Sequence, residues 1–579
     1  MADLEKKNVQ AEGVSENGEM SEELQKKLKE LDKESNTAEY KGICAKVIAV
    51  ICICFSLFQI YTGFFGALDA MIQRCVHLSF GICLVYLLCP TKKAWVKEGR
   101  FHPIDVALAV LAMIPPIYIL VNYQQLILRA GTVTPTDTVI GVLGIVMIIE
   151  AARRIVGLPI VIVVCCFLAY GFFGPYLPGP LAHRGLTIKQ MVGHLFFTTE
   201  GVFGIPMGVS STFIFLFILF GAYLEKTGLG KFFIDIANAI AGWASGGPAK
   251  VAVISSALQG TISGSSVANV VGSGSFTIPM MKKLGYHKNF AGAVEAAAST
   301  GGQLMPPIMG AAAFLMAEFV GIPYMEVVKA AIVPAILYFI GVFLGVHFEA
   351  KKNNLQGTPR SELPPWGKIL KEEGHLAIPL IAIIGLLASG YTPMKAALAG
   401  IFISIASAML RANTRMSIPD IIDGLIKGAR GALGVLIACS SAGMIIGIVT
   451  KTGVGLKLAS FAGSAISGGD PLKTGVNASK LGIAAFIIPY VFVLSPEILG
   501  INATLFSVIE TTITALIGMV GVSGAMIGQL YCKANILERL LLLAGGLCLI
   551  DPTILTDIIG IAVLGGVFAM QYFRSKKSK

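Results

Sequence analysis

From residue 44 onward the chain is a succession of apolar runs separated by short polar or charged stretches. Five runs come first, at 44–66, 75–89, 104–121, 137–150 and 155–173. A helix that crosses a bilayer needs about 20 mostly apolar residues, so the shorter runs reach that length by extending into their flanks. A less apolar stretch at 174–206, interrupted by Pro175, Pro178 and Pro180, precedes a long run at 207–224, a turn, and a half-polar helix ending at Ala244. Later runs lie at 327–346, 376–388, 396–409, 432–449, 482–494, 503–522, 540–550 and 558–570. The pattern predicts an all-α polytopic integral membrane protein. It divides the chain into a polar tail at 1–43, a smaller membrane module at 44–180 and a larger one at 190–579. Within the tail, 22–35 has a helix-like pattern that suits either a solvated cytosolic tail or a docking helix.

Composition leads to the same setting. The 579 residues are 55% hydrophobic and 14% charged, with a mean hydropathy of +0.76, more apolar surface than a soluble protein can hide. The formal charge of +11 raises the question of nucleic acid. The basic residues sit in short clusters between apolar runs, however, and not along one face, which is the positive-inside pattern. Lys92, Lys93, Lys97 and Arg100 form one cluster, and Arg153 and Arg154 another. Placing both in the cytosol puts the N-terminus there too. The first residues lack a short apolar core with a small-residue cleavage site, so no cleaved signal peptide is expected.

The stretch at 250–310 breaks the apolar pattern. Gly260, Ser263, Gly264, Ser265 and Ser266 stand where a lipid-facing helix would carry Leu and Ile, and Pro279, Pro306 and Pro307 follow. In hydrocarbon an unpaired backbone N–H or C=O costs several kcal/mol, so broken backbone survives only where protein or a water-filled cavity surrounds it. Helix N-termini offer N–H groups and partial positive charge to a carboxylate, while carbonyls and hydroxyls coordinate Na⁺. Asn269 adds an amide that both donates and accepts. Small residues equally serve tight helix packing, the competing explanation.

Two acids lie in apolar sequence, Glu295 and Glu318, and each would cost about 3 kcal/mol at a helix centre unless paired or hydrated. Glu295 suits a cation site, a proton path, or a hydrogen-bonded packing role. Glu318 precedes the break Gly321-Ile322-Pro323, which points to a nearby membrane surface. The lone histidines His77, His194 and His347 have no spacing partner, so no metal site is assigned to them. Cys52, Cys54, Cys83, Cys165, Cys166 and Cys439 lie singly in apolar runs and read as small buried hydrophobes. No GxSxG, HExxH, Walker or dinucleotide motif stands in a supporting context, so catalysis is not expected.

Several blocks carry a family resemblance. Glu225-Lys226-Thr227-Gly228, 246–253, 263–270, 299–303 and 306–310 resemble the permease of tripartite ATP-independent periplasmic (TRAP) transporters, most closely the fused-permease branch served by TAXI-type binding proteins. Segments 324–335 and 442–455 and Leu537-Glu538-Arg539-Leu540 continue it, so it covers nearly the whole chain from Ala45. The resemblance implies a bacterial inner-membrane importer of an organic anion, a carboxylate. It would receive the anion from a soluble periplasmic binding protein and couple uptake to an ion gradient, usually Na⁺, with no further cofactor. It also implies an ion-transporter-like fold of two inverted repeats, each with a re-entrant hairpin and discontinuous helices, held by a scaffold that includes the small-subunit-like front module. Carried over by motif, the substrate region comprises Ser263, Gly264, Ser265, Ser266, Asn269, Gly302, Gln303, Pro306 and Pro307. The Na⁺ region comprises Ser263, Ser266 and Glu295.

One departure from the family pattern stands out. The sequences that normally flank the second hairpin, Ser467-Gly468-Gly469 and 470–475, abut directly here. The expectation is an incomplete second repeat. Transport by a secondary importer is then weighed against a transport-inactive, internally deleted variant, or a membrane component that only docks a binding protein.

Overall fold

In the computed structural model of this chain, residues 38–91, 100–178, 181–455, 505–528, 534–550 and 553–577 are described, apart from positions 39 and 130. The expectations for 22–35, for the run at 482–494 and for the junction at 467–475 lie outside them. The first five runs become α1 (Ile43–Phe65), α2 (Ala70–Leu88), α3 (Pro103–Val121), α5 (Pro135–Ile155) and α6 (Leu158–Phe173), with a short α4 (Tyr123–Leu128) between the third and fourth. Flanking turn chemistry lengthens the weak fourth run. Thr134 and Asp137 form a reciprocal capping box ahead of Pro135, so the helix begins where its orphan N–H groups find acceptors.

The back half continues with α7 (Ile188–Phe196), α8 (Ile205–Lys226) and α9 (Leu229–Ala241). Then come α10 (Gly247–Ser263), α11 (Ser266–Lys283), α12 (Lys288–Gly301), α13 (Ala311–Val320) and α14 (Tyr324–Lys352). After these follow α15 (Trp366–Glu373), α16 (Ile378–Ala388), α17 (Pro393–Ala408) and α18 (Ile418–Thr452). The apolar run at 432–449 had marked only the second half of α18; its first half carries Asp420, Asp423 and Lys427, and Lys226 lies 2.5 Å from Asp423. Eight helices among the described residues are long and apolar enough to cross a membrane.

Two compact units result. One holds the residues up to Gly174 together with Gly185–Lys451; the other holds Pro175–Arg184 and Thr452–Lys579. In the second unit, α19 (Leu505–Ile527), α20 (Ile536–Cys548) and α21 (Ile554–Lys577) pack through Leu542, Leu549, Leu564 and Val567. Buried Glu538 accepts hydrogen bonds from Gln571 and Arg574, and Arg539 donates to the Ala525 and Met526 carbonyls at the end of α19. The Leu-Glu-Arg-Leu block is thus a helix-joining staple.

Inside the first unit, α8 contains a π-helical turn at Ser210–Ile214. Such a turn widens the helix and loosens its hydrogen-bond ladder. Side chains from α1 and α2 meet it: Gln59 bonds His77, His77 bonds the Ser210 hydroxyl at 3.0 Å, and Gln73 donates to Ser211 O at 2.8 Å. The lone His77 therefore serves a buried polar network.

A second network joins the front helices. Arg154 and Asp105, each with a side chain only 2% exposed, pair at 3.0 Å, and Arg154 also reaches Glu150, Cys89 O and Thr91. Its guanidinium stacks 4.5 Å over the Tyr86 ring. What reads in sequence as half of a solvated basic pair is a buried ion-pair hub, while Arg153 stays exposed beside Glu150. The cysteine expectation divides likewise: Cys52, Cys83 and Cys439 are buried, but Cys54, Cys165 and Cys166 face outward. An apolar residue on a membrane helix can face lipid as readily as protein, so apolar sequence alone does not separate the two.

Candidate functional site

The break at 264–265 is encoded residue by residue. Gly264 adopts φ +58°, the left-handed conformation that ends a helix at low cost, and terminates α10. Ser265 follows in an extended conformation, and its hydroxyl accepts from Ala268 N, capping α11. The two helices then return alongside each other as a hairpin, with Asn269 Nδ2 donating to Ser256 O at 3.0 Å and the Ser256 and Ser273 hydroxyls 3.1 Å apart. At 17 residues α10 spans about 25 Å, short of the roughly 30 Å of hydrocarbon. The element is a helical hairpin with its tip at Gly264-Ser265.

A second break faces that tip. Between α12 and α13 the chain leaves the helix at 302–310, where Pro306 and Pro307 supply no N–H donors. Gly310 N closes the loop on Gln303 O at 2.8 Å, and the Tyr324 hydroxyl reaches the carbonyls of both Pro307 and Ile308 at 2.7 Å. Backbone makes much of the contact between the breaks. A methyl added at Gly260 would come within 2.4 Å of Gly302 Cα, and one at Gly264 within 1.9 Å of Met309 O. Gln303 Nε2 donates to Ser266 Oγ across the gap at 3.2 Å.

The structure therefore brings most of the expected residues together. Ser263, Gly264, Ser265 and Ser266 sit half-buried at the tip; Gly302 and Pro307 are buried, Pro306 is half-buried, and Gln303 is exposed. Asn269 is buried one turn below the tip, with Ser263 Oγ 3.4 Å from its Oδ1. Close backbone approach demands Gly260, Gly264 and Gly302, whereas the serines and Asn269 bring polar groups to the same place.

Glu295 lies deeper. It is fully buried, and no hydrogen bond joins it to Ser263 or Ser266 among the described residues. Its carboxyl is enclosed by hydroxyls: Thr277 at 2.5 Å, Ser299 at 3.1 Å, Ser256 at 3.2 Å, and Ser273, the closest. Sequence reasoning passed over Ser256, Ser273 and Thr277. The signal was present, since Asn269, Ser273 and Thr277 recur every fourth residue and line one face of α11.

A separate cavity of about 590 Å³ lies away from the hairpin, near the starts of α2, α5 and α7. Asp69, Arg129, Lys189, His194 and Lys451 are among its lining residues. The Tyr123 hydroxyl donates to Asp69 and holds that carboxyl below the usual carboxylate range.

Comparison with known proteins gives the family. The family model "Tripartite ATP-independent periplasmic transporter, DctM component" matches residues 143–509, more than half of the chain. The C4-dicarboxylate TRAP transporter large permease protein DctM of Pseudomonas aeruginosa is 29% identical over 203 residues, 35% of this chain and 47% of that protein. The protein of the same name from Vibrio cholerae is 32% identical over 185 residues, 31% of this chain and 40% of the relative. The sialic acid TRAP transporter large permease protein SiaM, also from Vibrio cholerae, is 28% identical over 182 residues, covering 31% and 42% respectively. This chain thus spans less than half the length of each of these relatives.

Proposed function

The chain belongs to the DctM family of tripartite ATP-independent periplasmic transporter components, and from that membership we propose that it is the membrane permease of a secondary importer. Its cargo is an organic anion carrying a carboxylate, handed over by a TAXI-type periplasmic binding protein. The setting is a bacterial inner membrane with the N-terminus in the cytosol. Residues 44–180 serve as a small-subunit-like scaffold and 190–579 as the permease module. The observation that carries this reading is the hairpin tip at Gly264-Ser265 set against the break at 302–310, two helix interruptions facing each other in an apolar chain. The N–H groups that start α11, with Ser265, Ser266, Asn269 and Gln303, suit a carboxylate. Oxygen donors at Ser263 and Ser266 suit the coupling Na⁺. The rim carrying Asp69, Arg129, Lys189 and Lys451 is the face on which the binding protein docks.

The test is uptake by proteoliposomes holding the full chain and a TAXI-type binding protein, with succinate as the carboxylate probe under an inward Na⁺ gradient. We expect accumulation, and a drop of about tenfold for Asn269→Ala at unchanged expression, the size expected for losing buried hydrogen bonds worth about 1–2 kcal/mol. Unaltered uptake in that variant removes Asn269 from the site. Binding-protein association without accumulation would assign the chain a docking role instead.

A further inference from the structure

Where α14 ends, the chain builds a polar cleft for which carboxylate transport has no use. The loop 353–360 turns back over the residues that connect α9 to α10, and hydrogen bonds hold it there. Gly246 N and the Ser245 hydroxyl both donate to Leu355 O, at 3.2 and 2.9 Å, and Thr358 N donates to Gly242 O at 2.9 Å. A methyl at Gly357 would come within 2.3 Å of Trp243 O, so loop and turn are in close contact. The cleft beside them has a volume of about 590 Å³.

Its charge has one sign. Lys351 and Arg360 contribute cations, Asn354 and Gln356 contribute amides, and no acid lines the cleft among the described residues. Neighbouring Lys352 spends its charge on Glu349 at 3.7 Å, whereas neither Lys351 nor Arg360 has an ion-pair partner among the described residues. Arg360 instead stacks 4.7 Å over the Trp243 ring, a contact that orients the guanidinium and consumes none of its N–H groups. Those N–H groups match the spacing of phosphate oxygens, and the ammonium nearby adds a point charge. A soluble phosphate and a phospholipid headgroup share this chemistry.

The surroundings choose between them. The 29 residues of α14 span about 43 Å, more than the roughly 30 Å of hydrocarbon, so its basic end reaches headgroup level. Trp243 is 49% exposed, and Ile240, one turn before it, is 57% exposed. Helix α15 packs against α9 and turns out a similar pair, Trp366 at 68% and Leu370 at 46%, while its Ile369 is buried. Exposed tryptophan with an aliphatic neighbour, set beside unpaired cations, is the composition of a surface that lies in the headgroup layer. A soluble phosphate needs no such apolar flank.

We propose that the cleft binds the headgroup phosphate of an anionic phospholipid, with Lys351 and Arg360 on the phosphate and the exposed Trp243 and Ile240 beside the acyl chains. Because the loop is bonded to the turn that opens α10, the bound lipid braces the base of the hairpin. The site shares no residue with the substrate and Na⁺ regions, and it goes beyond the importer reading.

The test is quenching of tryptophan fluorescence in full-chain proteoliposomes of phosphatidylcholine and phosphatidylglycerol, with bromine on the acyl chains of one lipid at a time. Trp243→Phe serves as the blank that isolates the Trp243 signal. We expect brominated phosphatidylglycerol to quench Trp243 well ahead of its share of the membrane, and brominated phosphatidylcholine to do no better than its share. Lys351→Gln and Arg360→Gln should each lower that preference about fivefold, the partition worth of one basic residue at an anionic surface. Lys371→Gln, outside the cleft, should leave it unchanged. Quenching in proportion to share for both lipids overturns the proposal, and so does an equal fall in Lys371→Gln, which would mean diffuse surface charge. Loss of the preference on adding inorganic phosphate at constant ionic strength would make a soluble phosphate the ligand and overturns it as well. If a charge variant does not assemble, the wild-type comparison of the two lipids decides alone. Neither substrate nor binding protein is present, so failed succinate uptake bears only on the importer reading.

Discussion

Among the buried carboxyls of the described residues, Asp105 and Glu295 are held in opposite ways. Asp105 meets the Arg154 guanidinium at 3.0 Å, with Thr91 as a further donor, so its charge is matched on the spot. Among the described residues Glu295 bonds only hydroxyls. Glu295 has a hydrogen-bond partner on each carboxyl oxygen while Asp105 leaves Oδ2 without one, yet of the two only Asp105 has a paired charge among the described residues. A matched pair fixes helices to one another, here through an arginine; the unmatched acid is held by three serines and a threonine.

The comparison can be broken most directly at Arg154. Arg154→Met strands Asp105 as an unpaired buried acid and should destabilise the fold by about 3–5 kcal/mol, read as thermal unfolding in detergent. Adding Asp105→Leu should recover part of that loss. Should the single variant cost no more than Glu295→Gln, matched and unmatched charge would not differ here and the contrast would be gone. Next in size is Gly264→Ala, which must relieve both a left-handed backbone and the approach to Met309 O; about 2 kcal/mol of destabilisation is expected by the same unfolding assay. A normal melting temperature for that variant would show that the two breaks are not seated on each other. Smallest is Glu295→Gln, an isostere of the neutral acid, with a stability change of about 1 kcal/mol or less. That near-silence sharpens the comparison, because the amide keeps hydroxyl contacts and gives up no charge pairing.

Much of this was legible in the order of residues. Each described apolar run became a helix, and Ser263-Gly264-Ser265 spelled out a left-handed stop followed by a cap. The opposing break was legible because Pro306 and Pro307 withdraw two donors at once. Hidden from sequence was the destination of each polar side chain. Arg154 sits beside Arg153 in the chain, but one turns inward over Tyr86 and the other outward to Glu150. Ser256 and Thr277 lie 21 positions apart and converge only because the hairpin folds α10 back along α11. Pairing of that kind belongs to tertiary geometry, which local composition does not encode.

At Gly260 and Gly302 the hairpin and the interrupted helix meet main chain against main chain, with the Asn269 amide beside Gly302. Interlocked side chains act as teeth, and sliding one surface over another means lifting every tooth from its socket through unfavourable rotamers. Bare glycine against bare glycine has no teeth. A shear along this line would meet little friction beyond the Asn269 amide and the Gln303–Ser266 bond, like a bearing with two catches set where two interruptions of the chain look at each other.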